Sequence, residues 1–309
     1  MIKKTLILGI LLLGVINSFS QNQYLFNHYI ANQGLLNPAY NGSRDVISGM
    51  LVHRQQWLGI PGAPMTSALN VHGAIEDTKV GLGLSIVNDH LGFSNSLDFL
   101  AAGTYKIVLD RGEKNLMLGL QMGATSMIYD GTKAIIDKYP DPVFNGKTSR
   151  MFFNAGFGAY FFSDEFFVGF SIPKFFANSF DEDYEQFRNE FKVKNMHMYI
   201  YGGYIFEWIS VKVRPAMLIK QVYGAPMELD LSASVLLADI FWLGLSYRTT
   251  REAVFFMEWI ISRQFTFRYS FDYSFTSLAR YAKAGSHEAS LQFDFTTYRR
   301  PGMKTIRHW

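Results

Sequence analysis

Seven histidines, His28, His53, His72, His90, His197, His287 and His308, are scattered along 309 residues. None stands at the spacing of an HExxH helix or of another metal-ligand pattern. Dispersed in this way, they read as hydrogen-bonded interior or rim groups. The short acidic run Asp181-Glu182-Asp183 lacks the spaced oxygen donors of a calcium loop and reads as a solvated loop. Ser286 beside His287 does not make a nucleophile and its base, because neighbouring strand residues face opposite ways. The chain has no cysteine, so a disulfide framework, a thiolate metal site and a cysteine nucleophile are all excluded. A net charge of +3 with no basic run gives no footprint for nucleic acid. No catalytic residue, metal site or cofactor is expected.

The charges that do carry information alternate with apolar residues. In 211–220, Val211, Val213, Met217 and Ile219 interleave with Lys212, Arg214 and Lys220. In 227–235, Met227, Leu229, Leu231, Ala233 and Val235 interleave with Glu228, Asp230, Ser232 and Ser234. Phe265, Phe267, Tyr269, Phe271 and Tyr273 form one set against Thr266, Arg268, Ser270 and Asp272. Near the C-terminus, Ala289, Leu291, Phe293 and Phe295 oppose Glu288, Ser290, Gln292 and Asp294. Period-two alternation gives each strand an oily face and a wet face. Lys212, Arg214 and Lys220 then neighbour Glu228 and Asp230. Arg268 and Asp272 neighbour strands bearing Glu252, Glu258, Glu288 and Asp294. Opposite charges on adjacent strands pair across a narrow interior, so a plugged or cross-braced lumen is expected over a watery channel lined with unpaired charge.

Such strands fit either a soluble sandwich or a membrane barrel; connection length separates the two. Alternating segments fall at about 44–57, 64–74, 78–89, 94–109, 114–129, 150–162, 165–172, 193–206, 210–220, 226–237, 240–248, 252–260, 263–273 and 286–298. That is roughly 14 strands, an even number as a single-chain bacterial barrel has. The links at 76–77, 110–113, 163–164, 207–209, 238–239 and 261–262 are short, whereas 130–149, 173–192 and 274–285 are long. Short periplasmic turns and long outward loops sort in this way in outer-membrane barrels. The fold class expected is all-β: a transmembrane antiparallel up-and-down barrel. Closure also answers the backbone's need for partners in hydrocarbon. A hydrophobic fraction of 49% with 28 Phe and 17 Tyr suits strands whose lipid-facing residues are diluted by lumen residues. Trp57, Trp208, Trp242 and Trp259 lie near strand ends, as aromatic girdles require.

Residues 1–20 read as a signal peptide: Lys3 and Lys4, an apolar run from Thr5 to Ile16, and Ser18-Phe19-Ser20 before Gln21. The run is short for a span of roughly 20 residues, which disfavours the alternative of an uncleaved anchor. The expected domains are this leader, an N-terminal periplasmic segment 21–43, a barrel 44–298 and a tail 299–309.

The most specific signal is Asn37-Pro38-Ala39-Tyr40-Asn41-Gly42-Ser43, then Arg54-Gln55-Gln56-Trp57-Leu58-Gly59, then Gly62-Ala63-Pro64-Met65-Thr66. Asn37-Pro38 forces extended or turn geometry, and Asn41-Gly42 is a tight-turn pair. Together they predict a sharp re-entry into the first strand. Arg54 and Gln56 share a face near the rim; they either hydrogen-bond inside the barrel and fix the first outward loop, or meet a partner. This pattern resembles the PorP/SprF family, outer-membrane proteins of the type IX secretion system of Bacteroidota. Gly81-Leu82-Gly83-Leu84, Asn88-Asp89, Gly92 and the upstream Gln23-Tyr24-Leu25-Phe26-Asn27 extend the resemblance. It is closest over the first third of the mature chain, and the basic tail 304–309 departs from it.

The resemblance implies a non-enzymatic outer-membrane component of secretion and gliding motility. It implies docking of periplasmic ring or peptidoglycan-binding components, or of a large secreted cell-surface adhesin, in contact with outer-membrane lipids. Asn37, Pro38, Ala39, Tyr40, Gly42, Arg54, Gln56, Trp57, Gly62 and Pro64 are the candidate partner-binding or structural motif. An alternative is a channel for small or hydrophobic solutes.

Overall fold

The computed structural model describes residues 24–295, apart from 45, 111–112, 134–145, 182–185, 192–195, 209–210 and 224. The expected leader and tail, His308, and Glu182 and Asp183 of the acidic run lie outside the described residues.

Seventeen strands follow in order: β1 (Ile47–Gln55), β2 (Met65–Ala74), β3 (Val80–Leu91), β4 (Ser94–Leu109), β5 (Lys114–Asp130), β6 (Lys147–Phe162), β7 (Phe166–Ile172), β8 (Phe176–Asp181), β9 (Gln186–Phe191), β10 (His197–Tyr204), β11 (Phe206–Glu207), β12 (Lys212–Val222), β13 (Glu228–Leu237), β14 (Phe241–Arg248), β15 (Glu252–Ile260), β16 (Phe265–Ser274) and β17 (Ser286–Phe295). Neighbours pair antiparallel around a closed circuit, with β1 against β17 and β10 against β12. The two-residue β11 only extends the pairing along β12. Fourteen strands therefore make the wall. The stretch 173–192, expected as a loop, holds the separate β8–β9 hairpin.

Alternation decides which residues face lipid. On β3 the outward set is Leu82, Leu84 and Ile86, with Leu84 62% exposed; on β5 it is Leu118, Leu120 and Met122, with Met122 72% exposed. A continuous belt of exposed aliphatic side chains is unsustainable in water and is what hydrocarbon requires. Trp208, Trp259, Tyr105, Tyr223, Tyr247 and Tyr273 stand exposed toward strand ends, in keeping with interfacial girdles. Trp242 departs from that expectation. It follows the inward parity of β14 and is 0% exposed, beneath the Arg214 guanidinium, whose centre is 4.2 Å from the ring centroid.

The segment expected as periplasmic lies inside the barrel. Residues 26–30 and 32–43 are buried. The segment contains one short helix, α1 (Gln33–Leu36), and a 3-10 turn at Pro38–Tyr40. The interior is correspondingly less polar than strand alternation implies. Tyr29, Ile30, Leu36, Ala39 and Tyr40 pack on inward Met117, Tyr160, Phe167, Tyr199 and Leu218. Phe26 and Leu35 pack on Met50, Val52, Ala68 and Val87. These inward apolar wall residues face a polypeptide, not water, so burying them is favourable.

Candidate functional site: the plugged lumen

The segment descends through the lumen. Tyr24 lies beside Asp98, close to the start of β4 at the long-loop end; its hydroxyl donates to the carboxylate at 3.2 Å. Lys174, just past β7, reaches the same carboxylate at 2.6 Å and sits 5.6 Å from the Tyr24 ring centroid. At the other end, Gly42 turns the chain toward β1 with φ of 81°. Its N–H donates to His72 Nδ1 at 3.2 Å, beside the first residues of β3.

Asn27 is the upper pin. Its Nδ2 donates to Ser270 Oγ at 2.9 Å and to Asp272 Oδ2 at 3.0 Å. Its Oδ1 accepts from Arg54, and from Arg248 at 2.7 Å. Its backbone N–H donates to Glu288 Oε2 at 2.7 Å, and the next N–H, that of His28, donates to Oε1 of the same carboxylate at 3.1 Å. Arg54 pairs with Asp272 at 2.7 Å and with Glu288 at 3.3 Å; Arg248 pairs with Asp230 at 2.7 Å. Glu288 is 0% exposed. An amide presents both donor and acceptor edges, so one neutral side chain hydrogen-bonds two arginines and one aspartate. Charges buried this deeply are tolerated only when paired and hydrogen-bonded.

The lower seat is built from glycine. Asn37 caps the 3-10 turn by accepting from Ala39 N–H at 2.9 Å, and its Nδ2 donates to Ala159 O at 3.0 Å and Tyr201 Oη at 3.2 Å. Pro38 follows at the first position of the turn, where a missing N–H costs nothing. Tyr40 meets His72 and Tyr160 edge-on, with centroids 5.3 and 5.4 Å apart. A Cβ at Gly119 of β5 would lie 2.5 Å from Ala39 Cα. A Cβ on Gly81 of β3 would lie 2.7 Å from Asn41 O, while one on Gly83 of β3 or Gly158 of β6 would meet the side chains of Asn41 and Asn37. Ser171 of β7 donates to Leu36 O at 2.9 Å, and Thr104 of β4 donates to Asn41 O at 2.7 Å.

The motif predicted from sequence therefore divides. Asn37, Pro38, Ala39, Tyr40 and Gly42 form the lower seat, and Arg54 belongs to the upper pin. Gln56, Trp57, Gly62 and Pro64 shape the rim. Gln56 N–H donates to Pro64 O at 2.9 Å, closing the β1–β2 loop, and Gly92 N–H donates to Gly62 O at 2.9 Å. Trp57 N–H donates to Ser286 Oγ at 3.2 Å.

The predicted lumen charges are mostly paired. Glu258 accepts from Arg268 at 2.9 Å, Asp294 pairs with Arg44 at 2.7 Å, and Lys220 lies 3.6 Å from Glu228, its partner in register. Three assignments change. Asp230 pairs with Arg248 rather than with the β12 cations. Arg214 donates to Ser234 at 3.2 Å and stacks on Trp242, while Lys212 reaches Glu207 at 2.9 Å. Arg248 was readable from sequence, since it keeps the inward parity of Ser246. Asn27 carried no such signal, because the segment holding it has no strand period. Among the described residues, no three His, Asp or Glu side chains gather to hold a metal ion.

A family model described as the type IX secretion system membrane protein PorP/SprF matches residues 18–293. The chain belongs to this family. The match runs over nearly the whole chain, well beyond the first third where the sequence motifs concentrate. Solved structures similar in outline are remote in sequence. Omp33 of Acinetobacter baumannii is 6% identical, with a TM-score of 0.43 over 81% of this chain and 96% of that one. A TodX deletion mutant, a monoaromatic hydrocarbon channel, is 8% identical, with a TM-score of 0.46 over 87% and 93%. The KdgM porin is 9% identical, with a TM-score of 0.37 over 81% and 99%. No curated protein matches the chain. This PorP/SprF member is an outer-membrane β-barrel, and its lumen is occupied by its own N-terminal segment.

Proposed function

We propose that this PorP/SprF protein serves type IX secretion as a sealed docking barrel and not as a conduit. In this reading the long-loop end holds a secreted surface adhesin, and the short-turn end meets periplasmic ring or peptidoglycan-binding components. The observation that carries the reading is the plug. Residues of the N-terminal segment hydrogen-bond to β1, β4, β6, β7, β13, β14, β16 and β17. A wall joined to its contents on so many sides is braced to bear load and leaves little room for a solute. The Asn27 pin also lies next to the outward loops. Leu58 N–H donates to Gly285 O at 2.8 Å, tying the β1–β2 loop to the β16–β17 loop just above Glu288.

The test is a tagged pull-down from detergent-solubilised outer membranes, with partners identified by mass spectrometry. Recovery of a giant surface adhesin assigns the barrel to one client. Recovery of periplasmic ring components assigns it to the machine. If neither is recovered and liposomes bearing the barrel pass solutes, the docking reading fails in favour of the solute-channel alternative.

A further inference from the structure

The rim carries a one-signed arc. Four connections at the long-loop end, 56–64, 223–227, 249–251 and 275–285, contain no Asp or Glu and carry Arg251, Arg280 and Lys283. By contrast, 130–149 mixes both signs, with Asp130, Lys133, Asp137 and Lys147. All three cations of the arc are exposed, and none makes an ion pair among the described residues.

Their level on the barrel is set by register. Tyr247 of β14 opposes Ala253 of β15, which opposes Tyr273 of β16. Both tyrosines are exposed on the lipid-facing parity. The last strand pair above them is Glu252 with Ser274. The ladder then continues by one bond, Phe275 N–H to Arg251 O at 2.8 Å. Phe275 is 59% exposed and meets Tyr273 edge-on at 5.5 Å. Tyr281 is 76% exposed, between Arg280 and Lys283. Read upward, the outward face of β14 passes from Leu243 and Leu245 to Tyr247, and the connections above the strands carry the unpaired cations. Aromatic rings settle at headgroup depth, and cations just beyond them meet anionic headgroups.

We infer that Arg251, Arg280 and Lys283, above Tyr247, Tyr273 and Phe275, bind the phosphate of an anionic outer-leaflet lipid. The inference rests on the long loops facing outward. It does not depend on which protein docks, so its failure leaves the pull-down result unaffected. Guanidinium groups favour phosphate through planar paired donors, and neighbouring aromatic faces give acyl chains an apolar seat.

The test uses the full-length protein in detergent, with diphosphoryl lipid A as probe and native mass spectrometry as readout. Diphosphoryl lipid A is expected to remain bound, and fully dephosphorylated lipid A to be lost. The triple variant Arg251→Asn, Arg280→Gln, Lys283→Gln should weaken retention by at least about tenfold. Asparagine at 251 tolerates the positive φ of 65°. The triple variant with lysine at 251 and 280 and arginine at 283 should retain lipid, and the heat-dependent gel shift reports that each variant is folded. Equal retention of both lipid forms, an unchanged triple variant, binding of inorganic phosphate alone, or equal capture of a polyglutamate peptide would each overturn the assignment.

Discussion

At the scale of single residues, Asn27 governs the upper pin, and its replacement is informative because its partners are charged. In Asn27→Ala, Arg54, Arg248 and Asp272 each lose a buried hydrogen bond. Leaving charges short of partners in such a site costs about 3 kcal/mol or more. The urea midpoint read by gel mobility should fall accordingly, and an unchanged midpoint would show that the pin is dispensable. Asn27→Asp keeps the acceptor for both arginines but loses the two donors and faces Asp272 and Glu288. It should be no better than alanine at neutral pH. Gly119 offers a matching test at the lower seat. A valine there drives its Cβ into Ala39, while its branches find no space in the well-packed wall. The chain has no native cysteine, so thiol labelling is clean. A cysteine at Ala31 should react at least about tenfold faster with a water-soluble maleimide in the Gly119→Val background, because opening of the seat sets its access. Equal rates would show that the seat does not hold the segment.

At the scale of elements, the wall was legible and its contents were not. Period-two alternation marks a strand because one face meets lipid and the other does not, and β13, β16 and β17 follow it closely. The short links expected at 238–239 and 261–262 fall within the short connections 238–240 and 261–264. The N-terminal segment has no such period. Its hydrophobic residues meet the inner wall from many directions, so no repeating face is imposed on it. Its position is encoded elsewhere, in inward glycines on β3, β5 and β6: Gly81 and Gly83 stand out only through the family resemblance, and Gly119 and Gly158 read as weak strand positions. The tight-turn reading of Asn41-Gly42 held because it is local, whereas the periplasmic placement failed because the partners lie up to 261 residues away. The same contrast yields a prediction for the element as a whole. Deleting residues 24–41 should leave a barrel that inserts but conducts. Ion current per inserted barrel in planar bilayers should rise at least about tenfold over the parent, since a wall of this strand number encloses space that side chains alone do not fill. An equally silent deletion variant would mean that the wall collapses or that the outer loops seal the lumen.

At the scale of the whole molecule, the barrel has two unlike ends, and the docking reading requires a particular orientation. Turns at 75–79, 163–165, 238–240 and 261–264 are short. The other end carries the 173–196 excursion with its β8–β9 hairpin and the 275–285 loop. Machinery that folds barrels from the periplasm leaves the short turns behind and sends the long loops across. The plug adds a second asymmetry. Its charged pin sits at the long-loop end, among Arg54, Arg248, Asp272 and Glu288, and its glycine seat sits at the short-turn end. In the docking reading, a pull on the outward loops would act through β1 and β17 on Arg54 and Glu288, which hold Asn27 of the plug. Pressure from the periplasm would meet close-packed backbone. In the docking reading, this arrangement would place the stronger anchorage of the plug on the side that bears the load. Two single-cysteine variants decide the orientation in intact cells. Thr250→Cys, in the β14–β15 connection, should label with a membrane-impermeant maleimide. Asp77→Cys, in the β2–β3 turn, should label only after the outer membrane is opened. Both sites are exposed, and the heat-dependent gel shift checks that each variant folds, since Asp77 has a φ of 57° that cysteine adopts only with strain. The reverse labelling pattern would turn the barrel over and, with it, the assignment of adhesin and machinery to its two rims.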